Sequence, residues 1–267
     1  MTEGLSLGPL LLRWNGLLLA LGVAVGALLS AILAKRRGDN PEIIYYLFLP
    51  LTMWGTLGAR LWHILTPPLS SVELGLTTQH YLTHPLDFVA FWLGGFGFPG
   101  ALIGGAIALW YVARKNDLSF WSLADLLAPG LAVGQAIGRI GNYFNQELYG
   151  LPAANFPLKI FIDPAYRLVG YETVNFYHPL FLYEVILSLS NLFFIFWIAR
   201  RFAEKLALGD LFLAYLGFYS LARFMLEFLR LDVALVNGIN ANQVFFAIAF
   251  LYAVIGLYWR HRPVQKL

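Results

Sequence analysis

Residues 16–34 read GLLLALGVAVGALLSAILA, without a charged side chain, and run straight into Lys35-Arg36-Arg37. A helix rises about 1.5 Å per residue, so such a run covers roughly the 30 Å of hydrocarbon in a bilayer. Apolar runs bounded by charge recur at Ile43–Ala59, Phe88–Ala113, Leu126–Gly138, Thr173–Tyr183 with Val185–Ala199, Leu211–Ala222 and Val233–Trp259. Seven runs predict seven transmembrane helices in an all-α, polytopic membrane protein. The fourth, fifth and sixth reach full length only with Arg139, Glu184 and Arg223 at or inside the bilayer boundary.

Composition points the same way. Of 267 residues, 59% are apolar and 16% aromatic against 12% charged, and the mean hydropathy is +0.67. Soluble domains carry about 25% charged residues, which excludes an ordinary cytosolic enzyme. The chain holds no cysteine, so disulfides, thiolate nucleophiles, iron–sulfur clusters and cysteine-bound zinc are excluded from its own chemistry. A net charge of +3 makes no case for nucleic acid. No fixed-period repeat, low-complexity tract or linker divides the sequence, so residues 1–267 read as one integral-membrane domain.

The placement of charge is more informative than its sum. Lys35-Arg36-Arg37, Arg114-Lys115, Arg200-Arg201 with Lys205, and Arg260, Arg262 and Lys266 follow alternate runs and hold 11 of the 18 basic residues. By the positive-inside rule that side is cytoplasmic, which puts the N-terminus outside and the C-terminus inside. The first ten residues contain one acid and no base, so no cationic leader of a cleaved signal peptide is expected. Segments of about 66–87 and 139–172 fall outside, where Pro, Asp, Asn and Tyr suggest a small external elaboration.

An ionisable residue inside a span costs about 2.5–3.5 kcal/mol on insertion scales, so each is a candidate for function. In this topology Arg60, Arg139 and Arg223 lie toward the outer ends of the second, fourth and sixth helices, level with His178, Tyr183 and Glu184. Tyr219, Arg223, Glu227 and Arg230 fall within about 80° of arc on one helix face. A lone arginine snorkels to headgroups readily. Three arginines in one layer beside carboxylates suit a solvated anion site better.

Other signals carry less. Gly95-Phe96-Gly97-Phe98-Pro99-Gly100 spells a dinucleotide-binding glycine pattern but lies in a charge-free run with no strand–helix–strand context. Gly100/Gly104 and Gly130/Gly134/Gly138 instead predict close helix packing. His80, His84 and Asp87 have a spacing that suits a metal, but Pro85 interrupts the segment. Trp14, Trp62 and Trp259 read as interfacial anchors.

One stretch is beyond structural need. Gly138-Arg139-Ile140-Gly141-Asn142-Tyr143-Phe144-Asn145-Gln146-Glu147-Leu148-Tyr149-Gly150 packs a cation, amides and a carboxylate between glycines at a membrane exit. It closely resembles the signature of the bacterial prolipoprotein diacylglyceryl transferase family. Arg13-Trp14, Gly58 and Arg60, Gly94-Gly95, Leu102-Ile103-Gly104, His178-Pro179, Leu182-Tyr183-Glu184, the Tyr219-to-Arg230 stripe and Gln243 extend the likeness over most of the chain. The family has seven helices with the N-terminus outside, in accord with the topology read from charge.

The resemblance implies a reaction: an sn-1,2-diacylglyceryl group moves from phosphatidylglycerol to the lipobox cysteine of a prolipoprotein, forming a thioether and releasing glycerol phosphate. It implies no metal or organic cofactor. It also implies a multi-pass protein of the bacterial plasma (inner) membrane with its active site toward the outer leaflet. Negative charge grows on phosphate as it leaves, and fixed arginine donors stabilise such charge strongly in a low-dielectric site. By resemblance Arg139 and Arg223 hold the headgroup and leaving phosphate, Asn142 and Glu147 orient the glycerol or the arginine, and Glu227 fixes Arg223. Arg60, His178, Tyr219, Arg230, Asn145 and Gly150 complete the expected substrate surface. The thiol proton needs an acceptor, for which a partly buried Glu147 is the first expectation and His178 the second. The chain departs from the family at Pro99, where His is common, and at Asn15, where Tyr is common. Those departures motivate the alternative of an inactive lipid- or prolipoprotein-binding paralogue.

Overall fold

A computed structural model describes residues 4–7, 10–90 and 94–262. Residues 91–93 of the expected third run and Lys266 of the last basic cluster lie outside the described residues. Seven helices of 17–25 residues dominate: α1 (Trp14–Arg37), α2 (Glu42–Leu65), α6 (Phe98–Lys115), α7 (Phe120–Phe144), α8 (Leu180–Arg201), α9 (Asp210–Leu226) and α10 (Ala241–His261). Between α2 and α6 lie three short helices, α3 (Leu69–Glu73), α4 (Thr78–Thr83) and α5 (Pro85–Phe88). Four of the long helices, α1, α7, α8 and α10, are long and apolar enough to cross a membrane.

Several boundaries correct the sequence reading. The third run was expected to be helical from Phe88, but α6 starts at Phe98, and Gly94 and Gly95 both turn at positive φ. The fifth and seventh runs start as extended backbone, because β4 (Phe176–Tyr177) pairs with β3 (Ile160–Phe161) and β5 (Leu235–Val236) pairs with β6 (Ile239–Asn240). With the N-terminal pair β1 (Gly4–Leu7) and β2 (Leu10–Arg13), these hairpins make the fold mostly helical instead of all-α. Helix α7 runs on through Asn142 to Phe144, so the elaboration expected from residue 139 leaves the helix at 145.

Small residues lie inside and large apolar ones face out. In α1 the buried positions are Gly22, Gly26, Ser30, Ala31 and Ala34, whereas Leu19 and Leu28 are more than half exposed. A surface of that kind belongs in hydrocarbon, where helices associate by close packing and not by escape from water. A Cβ on Gly26 would come within 2.5 Å of Gly130 O, and one on Gly58 within 2.2 Å of Gly100 O. The packing expected from the glycine patterns is thus the α1–α7 and α2–α6 contact.

The excursions after α2, α7 and α9 are knitted together at one end of the bundle. Pro68 bridges Ala234, Gly150 bridges Arg230 and Pro152 bridges Tyr177, while Asp232 accepts from Ser70 N and Oγ at 2.9 Å each. Tyr149, Ile162, Tyr177 and Leu231 form a small core there. Tyr149 Oη donates to Tyr166 O at 2.8 Å and accepts from Leu168 N at 3.0 Å, and burial pushes its phenol up to about 12.

Candidate active site

Five charged side chains from α7, α8 and the end of α9 with the turn after it meet beneath this knitted cap. Arg139 of α7 pairs through Nε with Glu184 Oε2 of α8 at 2.6 Å, and Glu184 Oε1 takes Arg223 Nη1 of α9. Arg223 Nη2 reaches Glu227 Oε1 at 2.7 Å, and Arg230 Nη1 reaches the same oxygen at 3.4 Å. Asn240 donates to Glu227 Oε2 at 3.0 Å. The order is therefore Arg–Glu–Arg–Glu–Arg, three cations and two anions, with one positive charge in excess.

Burial sharpens that arithmetic. The side chains of Glu184, Arg223 and Glu227 are 2%, 4% and 0% exposed, while the terminal Arg139 and Arg230 are 22% and 21% exposed. Carboxylates taken out of water are strongly unfavourable unless paired and hydrogen-bonded, and each here bridges two guanidinium groups. The interior of the chain is neutralised, and the uncompensated charge is presented at its accessible ends. Arg223 Nε has no hydrogen-bond partner among the described residues, and Glu184, Ser188, Tyr219, Arg223 and Leu226 line a small cavity. The arrangement can hold a monoanion such as a phosphodiester with planar, directional donors.

The stripe read from α9 is real. Tyr219 is buried one turn before Arg223, its ring 5.0 Å from Phe98 and 5.9 Å from Phe246, and the Arg223 guanidinium stands over Phe246 at 5.4 Å. Aromatic walls hold the guanidinium group in place and keep the site dry.

Next to the chain, Asn145 Nδ2 donates to Glu147 Oε1 at 2.9 Å and Asn142 Nδ2 to Oε2 at 3.3 Å. Glu147 itself is exposed, so the partial burial expected for it is not found. The two amides fix its orientation at the mouth of the site. Positive φ at Gln146 and Leu148 turns the backbone around it. Gly150 is a crossing point: its N–H donates to His178 O at 2.9 Å, and a Cβ would strike Leu180 Cδ1 at 2.0 Å. His178 Nδ1 pairs with Tyr183 Oη at 3.0 Å, and the ring lies 4.7 Å from Phe156.

Arg60 is not brought into the ion chain. Its guanidinium donates to the carbonyls of Asp87, Phe88, Gly94 and Gly95, so it pins the segment that precedes α6. Pro99 sits in the first turn of α6, where a proline's fixed φ is favourable. Asn15 approaches the motif directly, since a Cβ on Gly141 would lie 2.4 Å from Asn15 Oδ1. His80 pairs with Asp87 at 2.8 Å and stacks on His84 at 4.2 Å, and among the described residues no three acidic or histidine side chains form a metal-holding group.

The sequence reading places Glu184 level with the arginines but assigns it no role, although it links two of the three arginines. Its signal was present as the single acid in the long apolar stretch from Thr173 to Ala199. Asn240 left no comparable signal, because it reaches Glu227 from a hairpin read as helix.

Fold and site together define a mostly helical protein of the integral-membrane class with a chain of arginine–glutamate ion pairs at one end. The chain belongs to the prolipoprotein diacylglyceryl transferase family, whose sequence pattern matches residues 3–259. Phosphatidylglycerol–prolipoprotein diacylglyceryl transferases from Trichormus variabilis and Nostoc sp. are each 36% identical to it over 268 aligned positions, covering 98% of this chain and 91% of theirs. The enzyme of that name from Gloeobacter violaceus is also 36% identical, over 96% of this chain and 91% of its own.

Proposed function

We propose that this protein transfers the diacylglyceryl group of phosphatidylglycerol to the lipobox cysteine thiol of prolipoproteins, the first step of lipoprotein maturation. The observation that carries the reading is the Arg139–Glu184–Arg223–Glu227–Arg230 chain, with one excess positive charge and accessible arginines at both ends. The substrate thiolate attacks the terminal glyceryl carbon of the lipid, the carbon–sulfur bond forms, and the carbon–oxygen bond to phosphate breaks. Glycerol phosphate leaves with the electron pair. Arg139 and Arg223 stabilise the charge that grows on phosphate, and Glu227 and Glu184 hold Arg223 in place. Glu147, oriented by Asn142 and Asn145, accepts the thiol proton at the mouth of the site.

The reading includes a seven-span topology in the bacterial plasma membrane, with the N-terminus outside and the site facing the outer leaflet. The outward-facing apolar surface and the four basic clusters support it. Because the chain is cysteine-free, single cysteines test this directly. A membrane-impermeant probe on intact cells labels a cysteine at position 165 and spares one at position 36. The reverse pattern overturns the orientation.

The activity is tested by reconstituting the protein with phosphatidylglycerol and a lipobox peptide. Mass spectrometry reads a diacylglyceryl mass gain on the peptide cysteine. Lipid binding without that gain favours the inactive paralogue.

A further inference from the structure

A second concavity lies far from the ion chain, at the basic end of the bundle. It is a groove of about 210 Å³ between α7, α9 and α10, lined by Trp121, Leu213, Tyr252, Ile255, Trp259 and Arg260, with Gly256. Its floor is Leu213, which is fully buried, and Gly256 keeps the wall thin, since a Cβ there would come within 3.2 Å of Leu213 Cδ1. Its walls are aromatic and aliphatic, and Tyr252, Ile255 and Trp259 are each more than half exposed.

The mouth is cationic. Arg260 lies over the Trp121 ring at 4.4 Å and donates through Nη1 to Leu208 O, and its Nε and Nη2 have no hydrogen-bond partner among the described residues. Arg262 stands over Trp259 at 5.2 Å. Asp210, at the start of α9, is taken by His261 Nε2 at 2.7 Å and Ala207 N at 2.7 Å. Arg260 lines the slot, Arg262 stands beside its Trp259 wall, and among the described residues neither forms an ion pair with a carboxylate. Aromatic rings at headgroup level, a slot for hydrocarbon and cations above it match an anionic phospholipid in charge and in shape.

We propose that this groove binds one acyl chain of an anionic phospholipid from the leaflet at the basic end, with its phosphate between Arg260 and Arg262. The inference rests on the membrane reading above but not on the transfer chemistry, and no residue of the ion chain takes part. The bound lipid fills the gap between α9 and α10 and ties α10 to the start of α7.

The test uses the full chain in phosphatidylcholine nanodiscs containing a trace of phosphatidylglycerol with a diazirine in its acyl chain. After irradiation, mass spectrometry maps the adducts. The groove residues 252–260 and Trp121 label in preference to Ile248 and Leu251 higher on α10. Unlabelled phosphatidylglycerol competes, and phosphatidylcholine does not. Arg260→Gln lowers the groove label by about fivefold, the worth of one arginine at an anionic surface, and Ile255→Trp, which fills the slot, removes it. Uniform labelling along α10, or equal competition by phosphatidylcholine, overturns the proposal. Size-exclusion profiles identify a misfolded variant, and the competition experiment on the unaltered chain decides without either variant. Transfer to a lipobox peptide is measured in the same discs. Absence of groove label on the unaltered chain with transfer intact sinks the groove alone, and groove label on the unaltered chain without transfer sinks the functional reading alone.

Discussion

Both ends of this helix bundle bury charge, and they treat it in opposite ways. At the basic end Asp125 accepts Gly209 N at 2.6 Å and Phe212 N at 2.9 Å, closing the start of α9. Asp210 beside it is held by His261 and a backbone N–H. Asp125 satisfies orphan donors at the start of α9, and Asp210 ties the turn before α9 to the end of α10, its Oδ1 without a partner among the described residues. At the other end the carboxylates Glu184 and Glu227 are themselves held by arginines, and the arginines outnumber them. A buried charge that caps backbone is scaffold. A buried chain with charge left over at accessible ends suits the anion of the proposed function. Arg60 belongs to the first kind, because backbone carbonyls take up its donors.

The largest effect that would break this comparison comes from the ion chain. Arg223→Lys and Arg139→Lys keep the charge but lose the planar fork, and each is expected to lower transfer about a hundredfold, roughly 3 kcal/mol of transition-state stabilisation. The readout is diacylglyceryl transfer to a lipobox peptide, and near-normal rates in folded variants would reduce these arginines to insertion aids. Glu147→Gln comes next: transfer at neutral pH falls at least about tenfold while phosphatidylglycerol still binds, and the rate recovers as pH rises and free thiolate accumulates. An unchanged pH profile leaves Glu147 an orienting role only.

Arg60→Gln sharpens the distinction within one layer. It frees the segment before α6, so proteolysis near residues 87–97 increases, while transfer falls by about tenfold or less through misplacement of α6. A loss as deep as that of Arg223→Lys would move Arg60 from scaffold to ligand. The smallest effect on chemistry belongs to Asp125→Asn. It weakens two charge-assisted bonds and costs about 1–2 kcal/mol of stability, seen as a lower Tm, yet leaves transfer per folded molecule unchanged.

Local signals carried over into structure where the cause was local. The helices exist where apolar runs demanded them, and the Arg223–Glu227–Arg230 contacts follow from spacing on and just beyond a single helix. Gly100 and Gly130 pack as their patterns implied. Helix ends were less legible. Residues 173–179 and 233–240 are apolar enough to read as span, but they pair as hairpins in the cap, and apolar composition does not distinguish a short buried strand from a helical turn. Arg60 and Arg139 look alike as single arginines in apolar runs. Only the nearby chain shows that one meets carbonyls and the other a carboxylate.

The sequence by itself determined the class of fold, the basic asymmetry and the family motif around Arg139, because hydropathy, charge and short-range spacing act within one helix or one loop. The tertiary structure decided that Glu184 links two arginines from neighbouring helices, that Asn240 braces Glu227, and that Arg60 stands apart. It also left Glu147 exposed where burial was expected. Those are contacts between segments tens of residues apart, fixed by how glycine and alanine faces bring helices together, and no pattern along one segment encodes which partner a buried charge will meet.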